Sequence, residues 1–521
     1  MQSFVQRFGS LVSGVLHGFD RLVFRGTLRS VVHGRRMMVY LSRMHVLLKD
    51  FGDWAQARGD QIKAAASQAA AEAGRPLHYL NSGNVSKEDL ARSIAQRDHI
   101  QQGLITVLSA VEPCMAFEVH CDRQAKSIEI RSRQRKCLHL YYYLMHPRFG
   151  FMHVRVQTWA PYLLRVCING REWLARQLDA AGIGYRRRDN CFLALADGAA
   201  AQALMNQQST LDWPQHLQAI ARQFNPIYQP DFENHGLNYY WSTYQSEWAS
   251  DLMFHSRAQL ARLYPRLIHH GITQFSSGDV LRFLGRAIGP DGRLPTNFQG
   301  EVTSDLKERP EGVRIKHRAK ANSVKLYDKF GSVLRVETTI NNPRDFKVYR
   351  RKQGCTEGEP AWREMRTNVD DLPRRAEASQ KSNERYLDAL AAAEDATVLR
   401  ECAEPICRPV RWKKQRVRAL NPLAAEDAAL LAAVVRGEFL INGLRNRDLV
   451  QLLYPQATED PKEKRRRSAA TTRKLRLLRA HGLVHKVPHT HRYLVSTKGR
   501  VTIAAVLAAR EASVKTLSQV A

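Results

Sequence analysis

Acidic residues are what this chain is short of. Its 521 residues carry 50 Asp and Glu against 80 Lys and Arg, a formal net charge of +30 at pH 7. Cysteine is scarce too. Eight in the whole sequence, without dense spacing, exclude a disulfide framework and fit a reducing cytosol. No window approaches the roughly 18 apolar residues of a membrane span. The opening MQSFVQRFGSLVSGVLHGFDR has a short apolar run broken by His17 and no small-residue cleavage site, so it does not read as a signal peptide. Cys114, His120, Cys121, Cys137, His139, His146, His153 and Cys167 crowd one region, but without the two close ligand pairs of structural zinc. Cys402 and Cys407 also lack a second pair. Neither a Walker loop nor a GxGxxG is present, nor any visible repeat or low-complexity tract.

What is there is a foldable composition, 44% hydrophobic, 25% charged and 8% aromatic, in a chain long enough for two to four domains. The charge is unevenly placed. From Arg408 to the end stand 24 Lys and Arg against 8 Asp and Glu, so +16 of the net +30 sits in about a fifth of the chain. A polyanion is the expected partner, because each Lys or Arg that meets a phosphate releases condensed counterions. An arginine-rich composition bias would raise the total as well, but not concentrate it.

The stretch Arg465 to Lys498, RRRSAATTRKLRLLRAHGLVHKVPHTHRYLVSTK, organises the C-terminal part. It predicts a long basic helix ending at His481 and stopped by Gly482, a position that favours left-handed glycine. A strand Leu483–Val487, a turn, and a return strand Arg492–Ser496 follow. Ala470, Leu475 and Leu478 fall near one helical face, leaving Arg467, Thr472, Arg473 and Arg476 to point elsewhere. LRLLRAHGLV with RYLVSTKGR resembles the recognition helix and wing of bacterial winged helix-turn-helix regulators of the MarR and ArsR kind. That resemblance covers roughly the last hundred residues. It implies a helix for the DNA major groove and a wing for the flanking backbone. Arg465, Arg466, Arg467, Thr472, Arg473, Arg476, His489, His491 and Arg492 are the expected nucleic-acid contacts.

Upstream, GFDRLVFRGTLR (Gly18 to Arg29) alternates charged and apolar residues as a strand does. Asp20 within it reads either as a metal ligand or catalytic acid, or as an ion-paired structural residue. Residues 52–102 are helical in texture, and Ser86 with Asp89 forms a capping box. From Leu104 to Asp197 five short strands and a helix are expected. They carry Arg131, Arg133, Arg135, Lys136, Tyr141, Tyr142, Tyr143, Arg148, Arg155 and Trp159, a mixture that suits single-stranded nucleic acid through backbone charge and base stacking. Strand alternation turns about half of those aromatics inward. Asn238 to Phe254 reads as a helix, with Tyr240, Tyr244 and Trp248 on one face and Glu247 and Asp251 on another. Ser276 to Arg286 reads as an N-capped helix start.

Residues 301–347 are the densest chemical candidate. A hairpin is expected, turned at Phe330–Gly331. Asp305, Glu311 and Glu337 beside Lys316, Lys325 and Lys329 would hold Mg²⁺, with Asp305 and Glu337 as ligands, and stabilise a phosphoryl transition state, while Lys316, Arg318 and Lys325 are expected nucleic-acid contacts. Tyr327 would serve instead as a nucleophile. A third reading is a basic hairpin that cradles backbone while its acids pair with its own lysines. SVKLYDK…SVLRVETTI resembles a segment of phage-type rolling-circle replication initiators. Those enzymes carry a His-hydrophobic-His metal motif and a catalytic tyrosine. No such motif accompanies this segment, and His489-Thr-His491 lies on the expected wing.

The expected fold is multidomain α+β: a central mixed or antiparallel sheet domain with helical insertions, plus a C-terminal winged helix. The expected divisions are a mainly helical region 1–103, a sheet domain 104–200, a helical segment with a basic hairpin 201–347, a basic linker and helix 348–420 (with Lys413, Lys414 and Arg416 on phosphate), and the winged helix 421–521. DNA is the favoured partner, RNA the alternative, with no membrane. A homodimer is compatible with both. The expected setting is the cytoplasm, associated with the nucleoid. A DNA-processing factor that cuts strands, an RNA-binding ribonucleoprotein component and a ligand-sensing transcription regulator remain as functional readings.

Overall fold

A computed structural model describes the chain apart from residues 82, 123, 125, 287–300, 310–311, 353–358, 392–398, 437–438, 440–442, 489 and 514–521, and the side chains of 309, 312 and 497. The chain divides into two units. One is Met1–Tyr264 with Asp305–Asp388, the other Pro265–Ser304 with Ala389–Ala521.

The first unit is built on β1 (Val12–Leu28). From Arg21 to Leu28 its residues are alternately half-buried and buried, the period of two that GFDRLVFRGTL carries in sequence. Leu22 and Phe24 enter the core, and Arg21, Val23 and Arg25 take the opposite face. After β1 come β2 (Leu77–Tyr79), β3 (Gly103–Asp122), β4 (Ser127–His146), β5 (Gly150–Gln157), β6 (Leu164–Asn169), a separate hairpin of β7 (Tyr185–Arg188) and β8 (Cys191–Leu195), β9 (Tyr239–Phe254), β10 (Val302–Arg309), β11 (Gly312–Ala319), β12 (Asn322–Lys329) and β13 (Val333–Ile340). Eleven of these form one mixed sheet, ordered β10-β11-β12-β13-β9-β1-β6-β5-β4-β3-β2. Among the described residues only β2 pairs parallel, on β3.

That order is close to a palindrome. Each half is one long strand, β1 or β9, followed by a four-stranded meander whose last strand returns beside it. The two long strands pair antiparallel, with Arg21 opposite Glu247. On one side Asn169, Cys167 and Arg165 face Arg21, Val23 and Arg25. On the other Thr339, Glu337 and Arg335 face Glu247, Ala249 and Asp251. The next strands agree: His153 faces Cys167, as Lys325 faces Glu337. The unit thus contains a duplicated topology that the sequence does not display, because the matched positions differ in chemistry.

One sheet face is closed by helices. Met37 and Leu41 (Gly34–Arg43), Trp54 and Ile62 (Phe51–Glu72), and Trp213, Leu217 and Phe224 (Trp213–Phe224) pack with Leu22, Phe24, Val154 and Val166. On the second half the helix Leu372–Leu390 takes that role. Its Asn383 donates to the Trp248 and Val336 carbonyls and to Ser250 Oγ. The other face holds the charged side chains. The helix Lys87–Arg97 covers it only over β3 to β5, where Ala91 and Ile94 meet Tyr141, Tyr143 and Phe151.

Three expectations change. The span Asn238–Phe254 is a strand, not a helix. A spacing of four is even, so Glu247 and Asp251 share a face in either form, and the pattern alone could not tell them apart. The pairing of β9 on both sides decides the matter. The five short strands between Leu104 and Asn169 are four, two of them 20 residues long. The division at 103/104 cuts between segments that join one sheet.

In the second unit the helix Pro461–Ala480 opens on Asp460, whose carboxylate accepts from Lys462 N–H, and closes at Gly482 with φ +73°. Its Thr471, Leu475, Leu477 and Leu478 are buried. Around them gather Leu430 and Leu431 of the helix Ala425–Val434, Leu449 of Asn446–Leu453, Leu444, Leu483, Val484 and Ile503. A three-stranded sheet runs Leu444–Arg445, Arg492–Val495, Val484–Lys486, and the helix Thr497–Glu511 follows it. Asn446 ties two helices together by donating to Ser468 O and Thr472 Oγ1.

Candidate functional site

Three strands bring acids together on the charged face of the sheet. Asp20 comes from a bulge in β1, between Phe19 and Arg21. Glu247 comes from β9 and Glu337 from β13. Each offers a carboxylate oxygen within 4.8 Å of the others, and among the described residues no other group of three His, Cys, Asp or Glu side chains is so close. Asp20 and Glu337 are buried and Glu247 half-buried.

The surrounding cations come from every neighbouring element. Lys325 Nζ, on β12, donates to Glu337 Oε1 at 2.5 Å and lies 3.7 Å from Glu247. Arg335 is wholly buried and holds Asp251 at 2.5 and 2.9 Å and Asp20 at 3.2 Å. Arg171 reaches Asp251 at 2.9 Å. Arg171 gets there because Gly170 presses against β1: a β-carbon on it would stand 1.9 Å from the Phe19 carbonyl oxygen. Asn190, after β7, donates to both Asp20 oxygens at 3.1 and 2.8 Å.

Desolvation dominates these acids, and the partners set the sign. Burial and the neighbouring Glu337 push the Glu247 carboxyl up. Asp20 is also raised by burial, against the pull of Arg335. For Glu337 the same burial is outweighed by Lys325, and its carboxyl stays below the usual range. Burial and Glu337 raise the Tyr327 phenol, which works against a phenolate nucleophile there. Arg21, on the same face, pairs with Glu88 at 2.9 Å.

Of the residues singled out on the hairpin, Glu337, Lys325 and Tyr327 belong to this cluster. Asp305 does not. It sits on β10, three strand spacings from β13, about 14 Å away, half-exposed and flanked by Lys307 at 3.7 Å and Arg314 at 3.8 Å. Asp305 and Glu337 therefore cannot share one ion. Glu311 falls outside the described residues. Lys316 faces Lys325 across β11 and β12, its ammonium destabilised by burial and by that neighbour, and Arg318 is exposed. In sequence Asp20 was legible as a metal ligand, a catalytic acid or an ion-paired residue, and Glu247 as one of a helical pair with Asp251, with nothing to join them.

The sheet's arginines and tyrosines separate by face. Tyr142 packs in the core against Phe224, so it is not available for stacking. Tyr141 and Tyr143 lie on the charged face under the helix Lys87–Arg97. Arg133, Arg135 and Lys136 are exposed on the far end of β4, where Arg133 and Arg135 both pair with Glu118. Tyr240 and Tyr244, legible in sequence as an aromatic face, have arginine partners that the sequence did not reveal. Arg29 stacks on Tyr240 at 3.2 Å and Arg165 on Tyr244 at 4.3 Å, and Tyr244 is exposed.

In the second unit Arg465, Arg466, Thr472, Arg473 and Arg476 are exposed along the helix Pro461–Ala480. Arg466 and Arg467 pair with Glu463 at 2.6 and 2.9 Å. Thr472 Oγ1 donates to Ser468 O at 2.9 Å. Arg476 bonds Gln415 on a basic hairpin, Val410–Trp412 with Gln415–Val417, whose Trp412 also lies under Arg479 and Lys413. Lys413 and Lys414 form its turn with positive φ, and Arg416 is exposed. His491 and Arg492 are exposed on the other hairpin, and His489 lies outside the described residues. The cysteines and histidines that crowd residues 114–167 do not converge on an ion among the described residues. No helix in that set is long and apolar enough to cross a membrane.

Compared with known protein families, with curated proteins and with solved structures, the chain matches none.

Proposed function

We propose that the chain is a nucleic-acid-binding protein that engages duplex DNA through its second unit, read as a winged helix. The observation that carries this is the helix Pro461–Ala480. Its Leu475, Leu477 and Leu478 are buried while Arg465, Arg473 and Arg476 stay exposed. A helix closed on one side and basic on the other, followed by a two-stranded hairpin, suits a major groove and its flanking backbone. The hairpin of Lys413, Lys414 and Arg416 adds positive charge of the kind that phosphate contacts need.

A second reading concerns the first unit and single strands. The Arg29–Tyr240 and Arg165–Tyr244 stacks present cations and rings side by side, which is what a sequence-tolerant strand platform requires. Strand cleavage, if it accompanies binding, falls to Glu337, Lys325 and Tyr327. Gel series with single- and double-stranded DNA and RNA, with and without Mg²⁺ or Mn²⁺, test both readings. Tight duplex binding lost in Arg465→Ala/Arg473→Ala supports the first. Binding confined to single strands, unaffected by that double variant and lost in Tyr240→Ala/Tyr244→Ala, replaces it with the second. A metal-dependent nick would add catalysis, and a covalent adduct lost in Tyr327→Phe would name the nucleophile.

A further inference from the structure

We infer that Asp20, Glu247 and Glu337, with the hydroxyl of Thr339, form a binding site for one hard divalent cation of the Mg²⁺ or Mn²⁺ class. The carboxylate cluster alone would not carry this, since buried acids are often no more than ion-paired. Thr339 supplies the independent observation. It is 4% exposed, and its Oγ1 has no hydrogen-bond partner. Its neighbour Thr338 projects to the helix side, where its hydroxyl donates to Asn383 at 2.7 Å. Thr339 therefore projects to the charged side, directly opposite Glu247 and two residues from Glu337. A buried hydroxyl without a partner is costly, and here it stands on the face that carries Glu247 and Glu337.

The duplicated topology adds a second argument. In the other half of the sheet the positions of Glu247, Glu337, Lys325 and Thr339 are taken by Arg21, Cys167, His153 and Asn169. None of those four counterparts is an acid. Nothing in the strand pairing calls for Glu247 and Glu337 in this half, where Asp20 of the β1 bulge joins them, and burying the three is unfavourable unless something compensates. Arg335 and Arg171 serve Asp251 and one side of Asp20. Glu247 and Glu337 share the ammonium of Lys325 as their close ion-pair partner, at 3.7 and 2.5 Å.

Oxygen-only donors select hard cations, and separations up to 4.8 Å between ligand atoms fit an octahedral or slightly larger coordination sphere after small side-chain movements. Lys325 stands in for the ion in the metal-free chain. On cation binding its ammonium is released from Glu337 and stays beside the ion, facing outward from the acids.

The test is Mn²⁺ titration of the full chain without nucleic acid, read by loss of the free-ion EPR signal, so it is independent of any strand activity. One Mn²⁺ should bind per chain. Glu247→Gln, isosteric and only half-buried, should weaken binding by about tenfold or more, since affinity follows ligand charge. Thr339→Val should weaken it less, and Asp305→Asn should bind as the native chain does. Melting curves guard against misfolding and give a second readout: Mn²⁺ should raise the Tm of Lys325→Met more than that of the native chain. Absence of Mn²⁺ binding at millimolar concentration, or undiminished binding by folded Glu247→Gln, overturns the site. So does a Lys325→Met chain whose Tm does not respond to Mn²⁺.

Discussion

Arg21 and Glu247 face each other across the pairing of β1 with β9, at the point where the two halves of the sheet meet. Each occupies in its own half the register position that the other occupies in its half. A cation on one side of this seam and an acid on the other make a symmetric fold into an asymmetric site. The acids collect toward β13, while Arg21 turns to Glu88.

The raised Glu247 carboxyl gives a stability prediction. Its folded pKa lies above its unfolded value because burial and Glu337 oppose ionisation. Stability is therefore present at low pH and lost as pH rises from about 4.5 through the folded value. In metal-free buffer Glu247→Gln should raise Tm at pH 7.5 and leave it unchanged near pH 4. Equal melting at both pH values would show that the acid is fully compensated by Lys325.

Three imidazoles, His317 buried and His17 and His153 half-buried, set the acid limit. Burial first, and nearby cations for two of them, lower His17, His153 and His317 to about 4. The unfolded chain takes up these protons first, so stability is lost as pH falls from 6.5 toward 4. Each contributes on the order of 3 kcal/mol at neutral pH. Thermal melts at stepped pH should show Tm dropping across that window. His153→Leu should make the drop shallower, and an unchanged slope would remove His153 from the account.

Arg335 lies between Asp251 and Asp20 with no exposure at all. Arg335→Leu leaves those carboxylates short of a partner and should cost roughly 3–5 kcal/mol. Arg171 still holds Asp251 at 2.9 Å, so the stranded charge is that of Asp20; adding Asp20→Asn neutralises it, and the double variant should be more stable than the single one. Urea unfolding of both decides it.

On the second unit, Arg473→Ala and Arg465→Ala should weaken duplex binding and lower the salt slope by about one each if they meet phosphate. If Arg473 reads a base, the loss should be about 1–3 kcal/mol on the specific site and little on random DNA. Thr472→Ala should act mainly on stability, because its hydroxyl joins the helix to Asn446 and Ser468. Fluorescence anisotropy over a salt series separates these outcomes, and equal losses on all DNA would demote Arg473 to a backbone contact.

Local chemistry was enough for the helix Pro461–Ala480, its stop at Gly482, the hairpin after it, and the turn at Phe330–Gly331 with the strand β13 behind it, although the arm before that turn is two strands, β11 and β12. Each rests on caps, glycine conformation or alternation within a few residues. The Lys325–Glu337 pair was legible for the same reason, since the two strands are joined by one short turn. The β9 segment was not, because aromatics and acids spaced by four share a face in a helix and in a strand alike. Asp20, Glu247 and Glu337 stand far apart in sequence, and only antiparallel pairing of β1 with β9, and of β9 with β13, makes them neighbours. That is long-range register, set by how two long strands bury one side against helices, and no local pattern encodes it. Asp305, equally acidic and closer to Glu337 in sequence than either Asp20 or Glu247, was carried away from it by the width of two intervening strands.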